Sequence, residues 1–442
     1  MEKVDIGNRL DRLPVSYLHL AAVGICAFGF AFDTLELALG GILAAVFSAP
    51  PHAIGAQQLS LLLASVYIGA TVGAPALGWV ADRFGRRSTV TGLLIGLGIT
   101  SLAGARSDSA EALTFWRCIG GVAMGAYPPI VIAYLTDLLP PARRGMLIFV
   151  TTALATLGPP AGIFLVRYLT PLQPLGLEAW RWGFLVGGVG TLIVGLLFRF
   201  LPESPRWLQA RGRHAQAEAA CSAFERSAAV QWLPAAGLPA LSRQGRPAGE
   251  VATAPSRRQQ LVVAAIFLLS PWATVAFPIL KGAVLTQKGF EVSDALLVLG
   301  LSWFGPMLGT LVASTSIDRL ERRTALALSA FAMTAAGACF VVGDSAAWVT
   351  GSSIAFGLFA SLYVPTLTMY GAELFPTEAR ARSVAAAWAL NRVGAAVGPL
   401  MLLPLLHSAG AITMFALIAV TLLLSVALLL LAPRGRQQWA MS

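Results

Sequence analysis

The 442-residue chain is 57% hydrophobic and only 12% charged, with a mean hydropathy of +0.73 and a net charge of +10. Its repeated apolar runs of about 20 residues each suffice to cross a ~30 Å hydrocarbon core, which excludes a soluble globular domain and defines a polytopic membrane protein. The positive balance then reads as membrane topology rather than nucleic-acid binding, and four scattered cysteines (Cys26, Cys118, Cys221, Cys339) offer neither a disulfide framework nor a metal site.

No short apolar segment with a small-residue cleavage site precedes the first run, so the first helix is expected to be retained. Apolar length read against helix breakers predicts twelve spans, near 16–47, 57–80, 88–105, 112–136, 145–169, 180–201, 259–282, 293–317, 324–342, 347–371, 382–406 and 410–432. The first span contains Gly29 to Gly40, GFAFDTLELALG, whose glycines, Asp33 and Glu36 recur at spacings of four, three and four and share one helical face. An ionisable group at bilayer depth costs at least about 2.5 kcal/mol on insertion scales, so this pair is a functional-site candidate.

Twenty-three basic residues fall in the N-terminal segment, the C-terminal tail and alternate loops, against five in the other loops and their edges, among them Lys281 and Lys288. That bias predicts both termini in the cytoplasm of a multi-pass protein of the cell (inner) membrane. Between the sixth and seventh spans, residues 202–258 are basic and alanine-rich, with a helical stretch near 215–227 and then Pro, Gly and Ser. This is expected to be a cytoplasmic linker between an N-terminal six-helix bundle (1–201) and a C-terminal one (259–442).

A constant offset of 236 residues relates the halves. Asp82-Arg83 corresponds to Asp318-Arg319, YPPIVIAYLTDLLPPARR (Tyr127 to Arg144) overlays YVPTLTMYGAELFPTEAR (Tyr363 to Arg380), and Gly158 and Gly162 meet Gly394 and Gly398. Parallel six-helix repeats joined by a linker are the layout of a transporter whose halves rock around a midplane site. The expected fold is therefore all-α, twelve transmembrane helices in two pseudo-symmetric halves, and a monomer is expected.

Gly78-Trp-Val-Ala-Asp-Arg-Phe-Gly-Arg-Arg87 resembles the signature loop between helices 2 and 3 of the major facilitator superfamily. Pro202-Glu-Ser-Pro-Arg-Trp-Leu208 and Glu373-Leu-Phe-Pro-Thr-Glu-Ala-Arg380 are similar to the loops after helices 6 and 10 in its sugar-porter-like and metabolite:proton symporter branches. The resemblance implies that Asp82, Arg86, Asp318 and Arg322 make charge-assisted contacts to helix ends that close the cytoplasmic side, with Arg144, Glu203, Arg206, Glu373 and Arg380 in the same network. Phe32-Asp33 together with Asn391-Arg392-Val-Gly resembles the bacterial niacin and aromatic-acid permeases and the animal organic-anion transporters. The seventh span, SPWATVAFPILKG, lacks the glutamine pair with which the sugar branch holds hydroxyls.

At 1.5 Å per helical residue, Asp33 lies roughly 26 Å and Arg117 roughly 28 Å above the cytoplasmic ends of their spans. The two are expected to pair, protonation of Asp33 releasing Arg117 as a proton-coupling device, an arrangement that the sugar-porter resemblance also implies. Glu36 is expected near the external boundary, either solvated or locally paired, or else relaying protons to Asp33. Arg392, roughly 15 Å up the eleventh span, has no evident carboxylate in its own half and is expected to take a substrate carboxylate. Asn391, Trp388, Tyr127, Tyr363, Trp303 and Trp272 are candidate cavity residues around a small aromatic ring, with helix packing the competing role for each. The substrate expected is a small organic monocarboxylate, nicotinate first and benzoate-like acids second, carried with protons and without a cofactor or metal. A proton-driven cation antiporter, a facilitative sugar porter and a transport-dead sensor remain alternatives, whereas no nucleophile-base pair or nucleotide loop points to an enzyme.

Overall fold

Apolar runs in lipid must satisfy every backbone N–H and C=O internally, and the computed structural model answers with helices throughout. Residues 6–229, 257–316, 321–374 and 377–431 are described. A short helix α1 (Ile6–Arg12) precedes spans one to four, formed by α2 (Tyr17–Val46), α3 (Ala56–Phe84), α4 (Arg86–Ala105) and α5 (Ala110–Leu138). The fifth span is broken into α6 (Pro141–Ala155) and α7 (Gly158–Leu169) ahead of Pro159-Pro160, which cannot donate to the preceding turn, and α8 (Ala179–Phe198) is the sixth.

Two helices follow outside the bundle, α9 (Pro205–Ala210) and α10 (His214–Ala229), the latter matching the expected helical stretch. The seventh span comprises α11 (Arg257–Pro271) and α12 (Phe277–Gln287), joined by a wide π turn over Trp272–Ala276 that begins at Pro271. Then come α13 (Val292–Ser302) with α14 (Phe304–Ser316), α15 (Arg322–Val342) and α16 (Ala346–Leu374). The last element, α17 (Thr377–Leu431), is too long for one crossing and turns at Gly410, whose φ of 81° leaves the helical region. It supplies spans eleven and twelve, so the fold is twelve crossings in two halves of six.

The 236-residue repeat is visible in packing. A Cβ on Gly69 or Gly73 of α3 would fall on the backbone of Cys118 or Val122 in α5, and one on Gly121 or Gly125 would fall on Val66 or Ala70 in return. At the same offset, Gly305 and Gly309 of α14 meet the backbone of Ile354 and Leu358 in α16. Only glycine lets two backbones approach this closely, so spans two and four, and eight and ten, form matched glycine seams.

The face carrying α1, α9 and α10 is the basic face. There Arg9 of α1 binds Glu225 through both ends of its guanidinium (2.9 Å each) and Glu218 at 2.7 Å, docking α1 against α10. Buried apolar residues form two separate cores. One, with Val23, Val90, Leu135 and Phe224, fills the basic-face side of the first half. The other joins Leu39, Ile42 and Leu63 of the first half to Ile279, Leu296 and Phe356 of the second. The halves share a core at the opposite face, where α2 packs on α12, α3 on α17 and α7 on α13. Gly282 of α12 sits against the backbone of Gly41 in α2 with no room for a side chain.

Candidate functional site

The Gly29–Gly40 stretch lies inside α2 as expected, and its four spaced residues do different work. A Cβ on Gly29 would strike the Tyr127 hydroxyl, which reaches into that gap and donates to the Cys26 carbonyl at 3.4 Å. Arg117 Nη2 comes within 3.7 Å of where a Cβ would stand on Gly40. Glu36 is 4% exposed, accepts from the Ser101 hydroxyl, and has Arg117 as its electrostatic partner. Its Oε1 is 3.0 Å from the Cβ position of Gly187 in α8, where any side chain would crowd it. Arg117 is buried, lies over the Phe184 ring at 5.6 Å and leaves its Nε unbonded.

Asp33, 2% exposed with Oδ1 bonded to nothing, has Arg392 as its electrostatic partner. Asp33, expected to pair with Arg117, thus has Arg392 as its electrostatic partner, and Arg117 has Glu36. Counted from the opposite-face helix ends, Arg117 lies seven residues deep in α5, Glu36 ten in α2 and Asp33 thirteen, so Arg117 is nearer in depth to Glu36 than to Asp33. Counting from the basic-face ends accumulated error along spans of 29 and 30 residues. Glu36 is accordingly buried within the bundle and not at a solvated edge. Tyr67 of α3 is an electrostatic neighbour of both Arg117 and Arg392.

Tyr67 also lines a cavity of about 420 Å³ between the halves, with Leu37 and Gly41 of α2 facing Lys281, Trp303 and Phe356. Of the seven expected substrate residues, Trp303 lines this cavity. Tyr127 and Tyr363 are 1% and 0% exposed within helix packing, Tyr127 edge-on to Phe30. Asn391 spends both amide hydrogens bridging to the Phe267 carbonyl and the Ser270 hydroxyl, each at 3.1 Å. Trp388 stands edge-on to Phe267 at 5.6 Å, and Trp272 packs against the same core from the π turn. Among the described residues that line the cavity there is no Asn or Gln, and the Thr274, Ser302, Thr310 and Ser361 hydroxyls all donate to backbone carbonyls three or four residues earlier.

Lys281 lies near the end of an apolar run, where the sequence alone places it with the loop-edge cations. It is 3% exposed, donates to the Ser353 hydroxyl at 2.8 Å, and its Nζ stands 5.0 Å from the Phe356 ring centre, 5.6 Å from Phe277 and 5.8 Å from Phe340.

At the basic face, Arg86 pairs with Asp137 and donates to the Ala133 carbonyl at 2.8 Å, while Arg322 pairs with Glu373 at 3.2 Å. Arg86 and Arg322, and Asp137 and Glu373, are repeat mates at the 236-residue offset. The repeat overlay alone sets Asp137 opposite Glu373. Glu203 caps the start of α4, accepting from the Arg87 and Ser88 amides (2.9 and 3.4 Å) beneath Gly85, whose φ is 107°. Arg206 reaches Asp11 at 2.5 Å and the Asp137 carbonyl at 3.0 Å, and Arg144 binds the Leu139 carbonyl with Asp11 at 3.6 Å. Asp82 takes part through its carbonyl, which accepts from Trp207 at 2.9 Å and from Arg211. Asp318 and the Arg380 side chain lie outside the described residues.

Comparison with known proteins agrees with this architecture. The chain is 26% identical over 445 residues to the inner membrane metabolite transport protein YdjE of Escherichia coli, covering 96% of this chain and 95% of that one. It is 23% identical to the niacin transporter NiaP of Acinetobacter baylyi, over 90% of each chain. Its fold superposes on the partially occluded, inward-open xylose transporter XylE of E. coli with a TM-score of 0.71 at 19% identity, covering 95% of this chain and 98% of that one. The model of the Major Facilitator Superfamily matches residues 18–399 and 262–440, and the chain belongs to that superfamily of membrane transporters, which are not enzymes.

Proposed function

We propose that the protein imports a small aromatic monocarboxylate with protons, nicotinate first and benzoate-like acids second, by alternating access. Its halves, 1–201 and 259–442, would rock about the central cavity, with 202–258 as a cytoplasmic linker, both termini cytoplasmic and the monomer as the working unit. The basic face is then the cytoplasmic one, and the shared core at the opposite face makes this an inward-open form.

The observation that carries the reading is a buried Asp33 with one unbonded oxygen and Arg392 as its electrostatic partner in the other half. While Asp33 is ionised, it neutralises Arg392. A proton on Asp33 removes that counter-charge and frees the guanidinium to draw an organic anion into the cleft. Binding of anion and proton are thereby linked, and Glu36 with Arg117 forms a second, balanced pair one turn away. Similarity to the niacin carrier supports nicotinate, and an apolar, aromatic cavity without amides supports a ring over a polyol. In proteoliposomes, Asp33→Asn is expected to abolish accumulation driven by a pH gradient while sparing substrate exchange. Undiminished accumulation by this variant would end the reading.

A further inference from the structure

We infer that Lys281, held by Ser353 inside a cage of three phenylalanines, is the anchor for the substrate's carboxylate. The inference rests on the proposed substrate class and moves the docking point from Arg392 to Lys281.

Charge balance leads there. Away from the helix ends, the described membrane-spanning residues hold two acids, Asp33 and Glu36, and two arginines, Arg117 and Arg392, each acid beside one guanidinium. Lys281 is the remaining charge. Seven residues on, Lys288 has Asp344 within 3.7 Å, whereas Lys281 has a hydroxyl and three ring faces. Aromatic faces at this range stabilise an ammonium and leave its remaining hydrogens unspent.

Cavity chemistry points the same way. Among the described residues, Lys281 is the single charged side chain that lines the cavity, and Arg392 is not among the lining residues. The Thr274, Ser302, Thr310 and Ser361 hydroxyls already donate to backbone carbonyls, so they present lone pairs and cannot serve a carboxylate, which leaves the Tyr67 phenol as the one neutral hydroxyl among the described lining residues beside the Lys281 ammonium. Trp303 and Phe356 flank the same space and supply the surface for a planar ring. An acid entering ring-first or carboxylate-first finds one charge-assisted donor, at Lys281.

The test compares nicotinate with nicotinamide, and benzoate with benzamide, by titration calorimetry on the purified full chain in detergent. The wild type is expected to favour each acid over its amide by about ten- to hundredfold. Lys281→Met keeps the volume and removes the charge, and should bring acid and amide within about twofold. Lys281→Arg should restore the preference, and Arg392→Gln, which removes the guanidinium that draws the anion in, should retain more of it than Lys281→Met. Ser353→Ala, the milder change should Lys281→Met not fold, should weaken acid binding alone. A Lys281→Met protein that still prefers the acid, or loss of the preference in Arg392→Gln, overturns the anchor while leaving the substrate class standing. A wild type with no preference for either acid overturns the anchor and the proposed function together.

Discussion

Asp33 and Glu36 are three residues apart, yet each serves a different guanidinium. Three helical steps turn the side chain by about 300°, which displaces neighbouring positions on one face by some 60°. That is enough to aim Glu36 at Arg117 of α5 and Asp33 at Arg392 of α17. The sequence identifies the acids and the arginines, because ionisable groups stand out in apolar runs. Partner choice depends on azimuth and on where helices start, and neither is written in a residue count. Lys281 was hidden for the opposite reason: a cation near a run's end looks like an anchor until packing shows it buried. Gly29 gives a direct residue-scale check. Gly29→Ala should cost about 1–3 kcal/mol through collision with the Tyr127 hydroxyl, and Tyr127→Phe should recover part of it. Thermal unfolding of the two single variants and the double variant measures this, and simple additivity would contradict the contact.

At the scale of elements, the repeat was the most legible feature. One offset predicted corresponding loops, and the structure extends it to glycine seams and to the Arg86–Asp137 and Arg322–Glu373 pairs. Repeats survive in sequence because backbone approach and charge pairing admit few residue types. The π turn at Trp272 and the break at Trp303 were not foreseen, since a proline signals disruption without stating its geometry. Both ion pairs lie at half-buried helix ends, so Asp137→Asn and Glu373→Gln should each cost about 1–2 kcal/mol, between the values for exposed and buried pairs. Equal thermal-shift losses in the two variants are expected from their symmetric placement. No loss in either would assign these pairs to topology alone.

On the scale of the whole molecule, composition sufficed for a twelve-span bundle, but the way the halves meet had to be seen. One apolar core crosses between them at the opposite face, and the basic-face core stays within the first half. Opening toward the other side therefore requires α2 to part from α12 around Gly41 and Gly282. Gly282→Trp should wedge that contact apart, abolish transport and shift labelling of a cysteine placed at Ser361 to reagents added on the opposite face. Wild-type flux in this variant would mean that the contact is not part of the cycle.

The glycine seams have a mechanical consequence. Two backbones in direct contact along α3 and α5 cannot slide or flex independently, so each pair behaves as a stiff lever. A 29-residue helix is about 43 Å long, and tilting it by about 10° around its middle sweeps each tip through about 4 Å. An adjustment of an ångström or so beside the fulcrum is thereby amplified at the rim. The Arg86–Asp137 clasp sits at one such tip, where the sweep is greatest, so a single ion pair there holds against the full half-length of the lever.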